Sequence, residues 1–207
     1  MYCDRVTLPA YSDIRARLSG VTLAVLLLGA AVLSPLQAKE FSAYISRDTA
    51  QLGVVLDTGA VGGLGGADFS AAAFYNDSSD WLFSLGLKAS GRPAGNQPMV
   101  FGVGAKAYLG MIDKPDSNFQ SLALGGDVRH VIPANMPVSL GLEGYYAPRV
   151  TSFSDGRELL DLGARIEVEV TPGAAGFLGY RYIQADLNQK KRYRMDDNVH
   201  FGVRLDF

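Results

Sequence analysis

The sequence predicts an all-β chain: a small up-and-down antiparallel transmembrane β-barrel of ten strands behind a cleaved N-terminal signal peptide. Three observations predict it. Apolar and polar residues alternate with period two in stretches of about ten residues, the length that crosses a bilayer as a tilted strand. Ionised residues inside those stretches keep to one face, and glycines lie among them. A basic segment and a short apolar run precede the first strand.

At the N-terminus, Arg15 and Arg17 precede an apolar run from Val21 to Leu33, then Ser34, Pro35, Leu36, Gln37 and Ala38. That run is too short for a spanning helix, which needs ~20 residues. Residues 1–38 therefore read as a signal peptide of the Sec type, cut after Ala38, and 39–207 as the barrel. The single cysteine is Cys3, so the mature chain carries neither a disulfide nor a lipidated N-terminal Cys.

The expected strands are 40–46, 50–57, 66–76, 80–90, 99–110, 120–131, 137–147, 158–171, 175–187 and 198–207. Eight remain if 40–57 lies outside the wall. The breaks alternate in character. Thr58–Gly65, Gly91–Pro98, Ile132–Pro137 and Thr171–Gly173 are rich in Gly or Pro. Arg47–Thr49, Asn76–Ser79, Met111–Asn118, Pro148–Arg157 and Asn188–Asp197 are polar and mostly charged. Outer-membrane barrels have short periplasmic turns and longer outer loops, so the first set is assigned to the periplasm.

The two faces of each strand differ sharply. One face of the fifth strand reads Phe101, Val103, Ala105, Ala107, Leu109 and the other Gly102, Gly104, Lys106, Tyr108. The eighth alternates Leu160, Leu162, Ala164, Ile166, Val168 with Asp161, Gly163, Arg165, Glu167, Glu169. Across the strands the second face holds Asp68, Lys88, Lys106, Asp127, Arg129, Glu143, Asp161, Arg165, Glu167, Glu169, Arg181, Arg204 and Asp206. A soluble barrel would turn this face to water and a membrane barrel would enclose it. Glycine weakens a strand and gains nothing on a wet exterior. In a narrow lumen it makes room for long paired side chains. The near balance of acids and bases fits such pairing, because an unpaired buried charge is costly. The lumen reading is taken. If the ion pairs plug the lumen, replacing Arg165 and Glu167 by Ser opens it. Tyr75, Trp81, Tyr146 and Tyr182 fall near the outer ends, and Phe69, Phe101 and Phe207 near the periplasmic ends, as two interfacial belts.

Val103–Tyr108 (VGAKAY), Gly141–Pro148 (GLEGYYAP) and Gly179–Ile183 (GYRYI) carry a family resemblance. The chain resembles the YfaZ family of Gram-negative outer membrane proteins over most of 40–207. The resemblance implies a small outer-membrane barrel and leaves activity open. The last strand also resembles the signal read by the barrel assembly machinery, with His200, Gly202, Leu205 and Phe207 at its positions. That implies the assembly machinery and periplasmic chaperones as partners during biogenesis.

Composition and motifs narrow the function. A net charge of -2 gives no footprint for nucleic acid. The mature chain has two histidines, His130 and His200. His200 beside Asp197 could form an oriented base, but a place in the lumen or the assembly signal is the simpler reading. Glu167 and Glu169 share a face and are expected to pair with Arg165, Arg181 or Arg204. No helix comes after the glycines of 59–66, so they form no phosphate loop. No catalytic residue, cofactor or metal site is expected. Lys190, Lys191, Arg192 and Arg194 sit in the last outer loop, where they would meet lipopolysaccharide phosphates. The expected function is an integral outer-membrane barrel with a charged, salt-bridged lumen and a structural or envelope role. The alternatives are a narrow pore for ions or small polar solutes, a lipid-modifying enzyme, and a soluble periplasmic barrel.

Overall fold

The computed structural model describes residues 38–57, 66–93, 98–114, 116–188 and 192–207. Eleven strands run in chain order. They are β1 (Ala38–Ser46), β2 (Thr49–Asp57), β3 (Ala67–Asn76), β4 (Trp81–Gly91), β5 (Met99–Ile112) and β6 (Ser117–Ile132). Then come β7 (Val138–Ala147), β8 (Ser152–Ser154), β9 (Gly156–Thr171), β10 (Ala174–Leu187) and β11 (Tyr193–Asp206). Ten of them form the wall, each antiparallel to its neighbours, and β1 pairs with β11 to close it. Residues 40–57 lie in the wall, so the barrel has ten strands rather than eight. Closure leaves no unpaired edge, which apolar surroundings would penalise. The predicted signal peptide, apart from Ala38, lies outside the described residues.

β8 was not expected. It is a short flap that pairs Ser154, Phe153 and Ser152 with Phe119, Gln120 and Ser121 of β6. β6 can carry it because it outruns β7: its pairing with β7 begins only at Leu124. The polar segment Pro148–Arg157 is therefore folded back on the wall, through a 3-10 turn at Arg149–Thr151.

Both ends of the barrel segment lie at one end of the wall, called proximal here; the turns after β1, β3, β5, β7 and β10 lie at the distal end. Alternation shows which face the wall encloses. Val103, Leu124, Leu142, Val199 and Phe201 are all more than half exposed on the outer wall. Asp161, Glu167, Arg181 and Arg204, on the opposite parity, are buried. The apolar face points outward.

Glycines make the inner face possible. A Cβ on Gly102 would stand 2.4 Å from Asp127 Oδ1 and 2.9 Å from Lys88 Cδ. One on Gly110 would stand 2.0 Å from the Phe119 ring, and one on Gly202 would run into Phe177 and Tyr44. The missing side chains are the space that the ion pairs and aromatic rings occupy.

One irregularity sets the distal end of β11. Its register against β10 slips between Ile183 and Gln184, from Asp196 to Arg194, leaving Met195 as an extra residue. A bulge of this kind reverses the parity of the residues beyond it. Met195 and Asp196 are both buried, and Arg194 turns outward opposite Gln184. The sequence placed 188–197 in a loop; from Tyr193 on, this is strand.

Candidate functional site: the barrel interior

The interior is divided along its length, and the expected charges occupy only part of it. Toward the distal end it is apolar and tight. Phe74, Leu82, Ile112, Phe119, Leu159, Ile183, Leu187 and Met195 form one buried cluster with Tyr108, Tyr145 and Tyr193. These residues come from strand ends, where β3, β4, β5, β6, β9, β10 and β11 each turn an apolar side chain inward.

A polar latch crosses this end. The carboxylate of Asp80, fully buried, accepts from Asn76 Nδ2 (2.9 Å), Tyr193 OH (2.5 Å) and the Asp113 amide (3.0 Å). Asn76 Nδ2 also reaches the Met195 carbonyl at 3.2 Å, and the Asp80 amide donates to Asn76 Oδ1 at 2.9 Å. Three hairpins are thereby tied together. The sequence does not single out Asp80, which opens the expected strand 80–90 directly after the polar Asn76–Ser79 break. Its signal was the Asn-x-x-x-Asp spacing around a tight turn, in which Ser79 adopts φ 66°.

Below the apolar cluster lies a buried ion pair, Arg181 with Asp161. Arg181 donates to Asp161 through Nε (3.1 Å) and a terminal nitrogen (2.8 Å). Its other terminal nitrogen donates to Tyr44 OH at 2.9 Å and to Gln51 Oε1. Tyr108 OH adds a bond to Asp161 Oδ2 at 2.8 Å. Both oxygens of that carboxylate have donors, which is what lets a charge sit in a dry interior.

The remaining predicted charges lie toward the proximal end. Lys106 pairs with Glu143 and Lys88 with Asp127, both at 2.8 Å. Glu167 is shared between Arg165 (2.8 Å) and Arg204 (3.2 Å), and Arg204 continues to Asp206 at 3.3 Å. Lys39 meets Asp68 at 3.0 Å. Among the described residues Arg129 and Glu169 join no ion pair, so the expected pairing of Glu169 does not form. Glu167 and Arg204 are buried, whereas others of this group touch solvent: Arg165 is 41% and Glu143 38% exposed.

His200 is buried and stacked on Tyr44 at 4.1 Å, with Phe177 edge-on at 5.9 Å. Asp197 is on the other face, bonded to Tyr180 OH and to Arg194 at 2.6 Å. The His200–Asp197 base considered from the sequence is not assembled, because opposite parities point the two side chains apart. Gly202 faces inward, while Leu205 and Phe207 are exposed on the outside. Arg192 and Arg194 lie at the distal end of β10–β11. Lys190 and Lys191 lie outside the described residues.

Asp196, like Asp80, is an interior acid above the apolar belt, whose last outward member on β11 is Val199. Burial pushes its carboxyl up to about 6, against the opposing pull of the Asn198 amide bond and of Arg181. A raised carboxylate pKa favours the folded state while the group is protonated. That contribution is full below the unfolded value near ~4 and is lost as pH rises through about 6. Asp196→Asn is therefore expected to raise stability by about 2 kcal/mol at pH 8 and to change it little at pH 4. Urea midpoints at the two pH values test this; equal shifts at both would refute it.

A protein-family model described as YfaZ precursor matches residues 17–207, nearly the whole chain. No curated protein and no solved structure matches it.

Proposed function

The chain belongs to the YfaZ family, and from that premise we propose that it is an integral outer-membrane barrel, closed to solute, with a structural role in the envelope. One observation carries the reading: a closed wall turns its apolar face outward all the way round. In water that surface would be an aggregation hazard. In a bilayer it is the required solvent contact, and a charge on it would cost about 2–4 kcal/mol at mid-depth. The family description as a precursor supports an exported and processed chain. The distal end is then the outer one. Outward Tyr75 and Trp81, 4.9 Å apart, and Tyr146 supply its aromatic belt. Phe101 and Phe207 supply the periplasmic one.

The last strand supports recognition by the barrel assembly machinery through His200, Gly202, Leu205 and Phe207, after escort by periplasmic chaperones. Lipid is the standing partner of the wall.

Fractionation with a heat-shift gel tests the proposal. The expected result is a sarkosyl-insoluble protein of mature size that changes mobility only on boiling. A soluble protein with no shift overturns it.

A second reading, a narrow pore, is favoured by the solvent contact of Arg165 and Glu143 within the wall. Against it stands the distal cluster, which packs the outer end with apolar and aromatic side chains.

A further inference from the structure

The bulge at Met195 has a chemical consequence at the outer rim. Without the extra residue, Arg194 would share the inward parity of Asn198 and His200. With it, Arg194 faces outward opposite Gln184, two pairs above the Tyr182–Asp197 pair. Bulges recur where a side chain must be re-aimed. Here the re-aimed group is a cation placed just above the apolar belt.

A cleft of about 430 Å³ opens at this point, lined by Tyr182, Gln184, Arg192, Tyr193 and Arg194. Its chemistry is asymmetric. Arg192 is exposed and makes no ion pair among the described residues. Arg194 is 61% exposed, lies 5.8 Å from the centre of the Tyr182 ring, and holds Asp197 by one nitrogen. The nearby acids are occupied: Asp197 also takes Tyr180 OH, and Asp186 takes the Gln184 amide at 3.1 Å. Guanidinium groups match phosphate with two parallel bonds, and tyrosines settle where headgroups begin. Both are found at one depth, on the lipid-facing side of one hairpin.

We propose that the outward cleft of Tyr182, Arg192 and Arg194 binds the phosphorylated headgroup of an outer-leaflet lipid. The proposal rests on the outer-membrane reading. It gives the bulge a purpose, namely to turn Arg194 from the interior to the membrane side, near exposed Arg192.

The test uses the full chain purified in detergent, with native mass spectrometry counting retained lipid A, phosphorylated or enzymatically dephosphorylated. A heat-shift gel on each sample first reports whether the barrel is formed; failure of the wild type to shift sinks the barrel reading, not the site alone. With a shifting barrel, phosphorylated lipid A is expected to be retained about tenfold better than the dephosphorylated form. Arg192→Ser with Arg194→Ser is expected to erase that preference. Asp197→Asn keeps an acceptor for Tyr180 and releases Arg194, so retention is expected to rise a few-fold, by about 2–5. A merely structural rim would not gain. Equal retention of the two lipids by the wild type, or an unchanged preference in the double variant, overturns the proposal. Displacement by millimolar inorganic phosphate also overturns it, since the site would then belong to a free anion.

Discussion

Replacing Arg181 by Met is expected to destabilise the barrel by about 3–5 kcal/mol, the usual cost of stranding one member of a buried ion pair. The loss is large because several groups depend on that guanidinium. Asp161, 1% exposed, would keep only the Tyr108 hydroxyl, and Tyr44 and Gln51 would lose their donor. Water does not readily replace it, since the apolar cluster lies on one side and Tyr44, Gln51 and Tyr108 pack against the pair. The double change Arg181→Met with Asp161→Leu is expected to recover much of the loss, because it removes both charges. Urea titration in lipid vesicles, read by the heat-shift gel, measures both. An Arg181→Met protein as stable as the wild type would show that the pair is not dry.

The second large effect concerns permeation. Wild-type conductance in planar bilayers is expected to be near zero, and Phe74→Ala combined with Phe119→Ala is expected to raise it at least about tenfold. Arg165→Ser with Glu167→Ser is expected to leave it near zero. A hydrophobic constriction blocks ions by excluding water, whatever lies beneath it. Phe74 and Phe119 are each 1% exposed within the distal cluster, whereas Arg165 already meets solvent. The expectation from the sequence, that the ion pairs form the plug, is thus moved to the aromatic end. Each Phe→Ala change is expected to cost about 3–5 kcal/mol, so the heat-shift gel must first show a folded barrel. Conductance in the Arg165/Glu167 variant with none in the Phe variant would put the seal back among the charges.

The wall is legible in the sequence because barrel strands with one apolar face obey a local rule. Period-two alternation over β5, β9 and β11 needs only neighbouring residues to be seen, and the outward apolar face holds to it in mid-strand. The same rule separated charged from apolar faces. Glycines such as Gly102 then told which face was enclosed, since their use is steric and the crowding partner, here Asp127 and Lys88, lies on neighbouring strands. Eight or ten strands was left open because β1 and β2 are short, and only their pairing to β11 and β3 counts them in.

What tertiary structure alone decided lies across strands. Which lysine meets which glutamate depends on shear between distant strands, so Lys106–Glu143 forms while Glu169 joins no ion pair among the described residues. The distal apolar cluster was hidden because its members sit at strand ends, one or two from each strand, where alternation is weakest as a signal. The bulge at Met195 was hidden for the opposite reason. It breaks alternation, and a broken pattern reads as loop, although the β10 partner continues straight past it. Period and face come from the chain's own covalent geometry and its solvent; closure, layer and register come from which strands lie side by side.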